Sequence, residues 1–144
     1  MPASAPPPVT NRELVMTRVI DAPRERVWTA WTDEQHLRKW WGPRGFTNPV
    51  CQFDAQAGGA IRIDMRAPDG TVYSMNGVVR EIVPLQRLVF ASAALDEKGV
   101  PLFEVLNTVS LADRGGKTRL ILKSRVTAVH AATAVKYLKG MKQG

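Results

Sequence analysis

Ile61-Arg-Ile-Asp-Met-Arg-Ala-Pro-Asp-Gly-Thr-Val-Tyr-Ser-Met-Asn-Gly77 consists of two alternating runs on either side of Pro68-Asp69-Gly70. Proline and aspartate suit the central positions of a type I turn, and glycine suits the left-handed residue after it. Ala67 is then paired with Thr71, which sets Met65 against Tyr73, Ile63 against Met75 and Ile61 against Gly77. Opposed residues share a face of a sheet. Ile61, Ile63, Met65, Tyr73 and Met75 therefore make one apolar surface, and Arg62, Asp64 and Arg66 point the other way. An antiparallel sheet with one covered face follows.

The same reading extends in both directions. Residues 46–54, 59–67, 71–83, 87–95, 102–112 and 117–127 are rich in β-branched and aromatic residues and are separated by turn residues, among them Asp113-Arg114-Gly115-Gly116. Before them, residues 12–20 read as a first strand. Asp21 then stands as the cap of a helix over about 23–32, with Pro23 in its first turn. That helix carries Val27 and Trp31 on one face, alongside Trp28 and Ala30. Asp33 caps a second short helix ending near Trp41, and Gly42-Pro43 stops it. After Thr127 the period becomes helical, with Ala131, Ala134, Val135 and Leu138 on one side. The fold class is α+β: a curved antiparallel sheet, two short helices and a C-terminal helix that enclose a cavity.

Composition narrows the function. The 144 residues are 44% hydrophobic and 23% charged, which suits one domain over 12–144 behind a disordered Pro-rich lead-in at 1–11. Residues 1–113 hold 12 basic and all 13 acidic residues, and residues 114–144 hold 8 basic and none acidic, so the net charge of +7 belongs to the tail. Without a helix-turn-helix, zinc-finger or aromatic-basic motif, that excess reads as a solvated face, and neither nucleic acid nor membrane is expected as a partner. Cys51 is the sole cysteine and reads as a small buried apolar residue. Two histidines, His36 and His130, cannot build a His-rich metal site, and no metal or cofactor is expected. There is no apolar run of membrane-spanning length and no signal-like start, so the expectation is a cytoplasmic protein.

Leu14-Val-Met-Thr-Arg-Val-Ile-Asp-Ala-Pro-Arg-Glu-Arg-Val-Trp-Thr-Ala-Trp-Thr-Asp33 and His36-Leu-Arg-Lys-Trp-Trp-Gly-Pro43 resemble the bacterial family related to the activator of heat shock protein 90 ATPase. So do Gly58-Gly59, Pro68-Asp-Gly70, Gly77-Val-Val-Arg-Glu-Ile-Val-Pro84 and Arg87-Leu-Val-Phe90. The resemblance runs from about Leu14 to Gly144. It implies the START-like, helix-grip fold of the SRPBCC superfamily, whose members hold apolar small molecules in a cavity and include cyclase- and aromatase-type enzymes. It also raises regulation of a chaperone ATPase, for which this chain supplies no second domain. Compared with the family pattern the terminal helix is short. An open sheet face of that kind would invite a second copy of the chain, giving a homodimer.

The expected ligand is a hydrophobic or aromatic small molecule, and the residues expected to line its cavity are Trp31, Trp41, Ile63, Met65, Tyr73, Met75, Phe90, Val105 and Asn107. Trp40 and Trp41 read either as core anchors or, for Trp41, as cavity wall. Met65 and Met75 read as core or as adaptable ligand contacts. Asn107 alternates with Phe103, Val105, Val109 and Leu111, so its amide needs a partner, which is backbone, water or a ligand. His130, at the start of the last helix, is an exposed helix residue or an acid/base group. No Ser/His/acid arrangement, phosphate-binding glycine loop or inward pair of carboxylates is present, so no catalytic residue is assigned. The alternative is a cyclase- or dehydratase-type enzyme in which Asn107 or His130 guides a proton.

Overall fold

The computed structural model describes residues 13–130. Its elements are β1 (Glu13–Ile20), α1 (Arg24–Thr32), α2 (Glu34–Trp40), β2 (Thr47–Phe53), β3 (Ala60–Arg66), β4 (Val72–Val83), β5 (Arg87–Leu95), β6 (Pro101–Arg114) and β7 (Lys117–Val129). The β3–β4 turn closes as its residues require. Gly70 has φ +92°, its N–H donates to the Ala67 carbonyl at 2.9 Å, and the Ala67 N–H donates to the Thr71 carbonyl at 2.8 Å. Met65 faces Tyr73, Ile63 faces Met75 and Ile61 faces Gly77. Ile61, Ile63 and Met75 are buried while Arg62 and Arg66 are exposed, so the expected faces hold. At Gly77 an added Cβ would overlap the Ala91 carbonyl oxygen of β5, which leaves room for glycine alone.

All seven strands form one antiparallel sheet in the order β1-β7-β6-β5-β4-β3-β2. The chain leaves one edge at β1 and re-enters at the other edge with β2, and α1 and α2 make that crossing over the inner face. α1 touches β6 and β7, and α2 touches β2. Val27, Trp31 and Leu37 from the helices join Cys51, Phe53, Ile61, Ile63, Leu88, Val109 and Leu120 in the main core. Polar ties hold the crossing. The buried Thr118 hydroxyl donates to the Ala22 carbonyl at 2.7 Å, and the Phe53 N–H donates to Glu34 Oε2 at 2.7 Å. Asp33 caps α2 through the Gln35 N–H at 2.8 Å, and this bond holds its carboxyl below the ordinary range.

Three local expectations are corrected. Asp21 caps nothing: α1 begins at Arg24, and Pro23 occupies the N-cap position with no side-chain bond. The first turn is instead closed on the Pro23 carbonyl, which accepts the Arg26 and Val27 N–H groups at 3.0 and 3.2 Å. Asp113 and Arg114 are strand, because Gly115 (φ +64°) and Gly116 (φ +89°) alone make a two-residue turn and let Arg114 pair with Lys117. Strand β7 also runs on to Val129, and His130 continues its pairing by donating its N–H to the Leu102 carbonyl at 2.7 Å. The expected lead-in over 1–11 and the final helix with Ala131, Ala134, Val135 and Leu138 lie outside the described residues.

Candidate functional site

Helices α1 and α2 cover only part of the inner sheet face. Beside them lies a cavity of about 360 Å³, walled by the ends of both helices and by inward residues of β1 and β3–β7. This is within the ~300–1,000 Å³ of ordinary small-molecule sites. One wall is aromatic. Trp31 and Trp40 meet edge to face at 4.6 Å, Trp40 and Trp41 are 5.7 Å apart, and Trp41 lies 6.5 Å from Phe90. Trp40 is 41% exposed, yet its indole N–H donates to the Ala30 carbonyl at 2.8 Å, which pins one helix to the other.

Two devices set Trp41. Gly42, at φ +89°, ends α2, and a Cβ there would lie 2.8 Å from Met65 Sδ, so the chain turns against the β3 methionine. Asn48, buried on β2, donates through Nδ2 to the carbonyls of Arg38 at 2.8 Å and Trp41 at 2.9 Å. Those are orphan carbonyls of a helix end, and one amide satisfies two of them.

The polar part of the wall is a row across three strands. Asn107 on β6 is 8% exposed. Its Nδ2 donates to the Phe90 carbonyl at 3.3 Å and to Ser92 Oγ at 3.0 Å, both on β5, while Ser124 Oγ on β7 donates to Asn107 Oδ1 at 2.9 Å. Ser92, Asn107 and Ser124 all line the cavity. None of the described lining residues is titratable.

Of the residues expected at the site, the structure places Trp31, Trp41, Met65, Met75, Phe90, Val105 and Asn107 on the cavity wall. Ile63 and Tyr73 are not there. Ile63 is 1% exposed and belongs to the core with Leu37 and Cys51, and Tyr73 lies near the turn end of β4, its ring 6.1 Å from Phe46. Sharing a face with cavity residues is insufficient, because that face is divided along the strands between core and cavity. Sequence reasoning missed Ser92 and Ser124, although each alternates with apolar neighbours: Ser92 with Phe90 and Ala94, Ser124 with Leu122 and Val126. It also missed Asn48, whose role depends on a helix end seven residues away.

His130 stands outside the lining. Its Nε2 is 2.7 Å from Glu104 Oε2 on an exposed part of β6, a carboxylate partner that sequence proximity did not offer. Cys51 is buried at 3% exposure, and burial raises its thiol pKa. Among the described residues no cluster of side chains could hold a metal ion, and no helix is long and apolar enough to cross a membrane.

The fold is shared with solved structures. A protein of Chromobacterium violaceum superposes with a TM-score of 0.75 at 28% identity, covering 91% of this chain and 90% of its own. A solution structure from Arthrobacter aurescens gives 0.77 at 26% identity, covering 94% and 82%. The AHSA1 protein of Silicibacter pomeroyi, at 22% identity, shares the fold with a TM-score of 0.77 over 92% and 91% of the two chains. No curated protein matches the chain. The family described as Activator of Hsp90 ATPase homolog 1-like protein matches residues 21–144, and with this sheet, its two helices and the solved relatives in agreement, the chain belongs to that family and has its helix-grip fold.

Proposed function

We propose that this protein binds an uncharged, largely apolar and aromatic small molecule in the cavity between the helices and the sheet. One observation carries the reading: a wall of Trp31, Trp40, Trp41, Met65, Met75 and Phe90 around about 360 Å³, without a titratable side chain among its described residues. An ionised ligand entering such a wall would lose its hydration with no counter-charge to replace it. A flat apolar ligand gains roughly 25 cal/mol for each Å² it removes from water.

The cyclase or dehydratase alternative needs a group that moves a proton. Asn107 spends its amide protons on Phe90 and Ser92, and His130 is engaged with Glu104 away from the cavity. No observation on this chain favours chaperone regulation either. The test is a titration with the neutral probe N-phenyl-1-naphthylamine, followed by tryptophan quenching and probe emission. Saturable binding is expected in the parent chain and its loss in Ala94→Phe, which fills the cavity. Binding unchanged by that filling would place the probe elsewhere and defeat the reading.

A further inference from the structure

The hydrogen-bond directions in the polar row are determined by one atom. The Phe90 carbonyl can only accept, so the Asn107 group facing it must be the NH2, and Oδ1 must face Ser124. Both Nδ2 protons are then used, one on Phe90 and one on Ser92 Oγ. Ser124 has spent its only proton on Oδ1, so towards the cavity it can only accept. Asn107 Oδ1 retains a second lone pair and can also only accept. Ser92 accepts from Asn107 and still owns its hydroxyl proton, for which the described residues provide no acceptor. The row therefore offers a visitor one donor, at Ser92, and acceptors at Oδ1 and Ser124.

We propose that this row reads a hydroxyl group, so that the cavity selects an alcohol or phenol borne on an aromatic frame over the corresponding ether or hydrocarbon. This rests on the cavity being the binding site. A hydroxyl both donates and accepts and so can meet both kinds of group in the row. An ether or ketone can use only Ser92 and leaves the acceptors unmet. A hydrocarbon uses neither and covers the row, leaving the Ser92 proton buried without a partner.

The test is isothermal titration of the full chain with 2-naphthol, 2-methoxynaphthalene and naphthalene, repeated with the triple variant Ser92→Ala, Asn107→Leu, Ser124→Ala. In the parent chain each successive loss of a hydrogen bond is expected to weaken binding by roughly three- to tenfold, in the order naphthol, ether, hydrocarbon. In the triple variant no side-chain donor is left in the row, since Ser92→Ala alone would free the Asn107 Nδ2 proton that Ser92 accepts and Asn107→Leu would free the Ser124 proton, so the ether should lose its advantage over naphthalene. Three comparable affinities in the parent chain would overturn the hydroxyl assignment and leave the cavity reading standing. Failure of all three to bind would overturn both. An ether advantage that persisted in the triple variant would show that the donor lies elsewhere and would refute the assignment of roles.

Discussion

Asn107→Asp keeps the shape of the side chain and replaces its NH2 with oxygen, which makes the polar row testable by pH. In the parent chain two acceptors, the Phe90 carbonyl and Ser92 Oγ, receive protons from this amide. A neutral carboxyl has one proton to give, to the Phe90 carbonyl, and Ser92 can turn its free hydroxyl proton onto the carboxyl, so the neutral form costs only about 1 kcal/mol. An ionised carboxyl has none, and although Ser92 can donate to it, it strips the Phe90 carbonyl of its side-chain donor and sets a negative charge against that oxygen at a position only 8% exposed. Burial and repulsion of that kind raise a carboxyl pKa by roughly two to three units, and at ~1.4 kcal/mol per unit ionisation adds about 3–4 kcal/mol. The sign follows from proton counting. With a folded-state pKa above the unfolded one, the folded variant binds more protons, so its stability falls as pH rises through the unfolded value and levels off above the folded one. Urea unfolding of variant and parent at pH 4.5 and pH 8 should therefore give a destabilisation larger at pH 8 by roughly 2–3 kcal/mol. Equal destabilisation at the two pH values would refute the reasoning, because it would mean that a carboxylate is held at this position as well as a neutral carboxyl is.

Gly77→Ala drives a Cβ into the Ala91 carbonyl and should cost about 3 kcal/mol or more in urea unfolding; a neutral substitution would show that β4 and β5 can separate freely. Cys51, 3% exposed and with its thiol pKa raised by burial, should react with a thiol reagent only as fast as the core opens, and adding urea below the unfolding midpoint should accelerate it. Asp33 is held below the ordinary carboxyl range chiefly by the Gln35 N–H, so its contribution is present above the unfolded carboxyl pKa and lost as pH falls through the lowered folded value. Asp33→Ala should accordingly lower the urea midpoint at pH 7, with the difference from the parent shrinking towards pH 2.

The sheet was legible because turn chemistry and alternation are local. Pro68-Asp69-Gly70 was enough to register β3 on β4, and alternation alone turned Asn107 inward. Where the reading failed, distant geometry decided. Asp21 has a good capping side chain, but the helix starts three residues later, where Pro23 supplies the entry. Ile63 and Tyr73 share a face with Met65 and Met75, yet Ile63 lies in the core and Tyr73 beside Phe46. Ser92 and Ser124 flank Asn107 only because β5 and β7 are its two neighbours in the sheet, and strand order is not a property of any one segment. Family resemblance supplied the fold, but it does not say which polar atoms face the cavity.

Methyl NMR tests the account most directly. Three methionines, Met16, Met65 and Met75, line the cavity from β1, β3 and β4, and their methyl groups can be labelled and assigned by single Met→Leu variants. Titration with 2-naphthol is predicted to shift these three resonances together, along one saturable curve. If naphthol saturates the protein while these methyls stay still, or never saturates it at all, the cavity is not a binding site and the central claim is wrong.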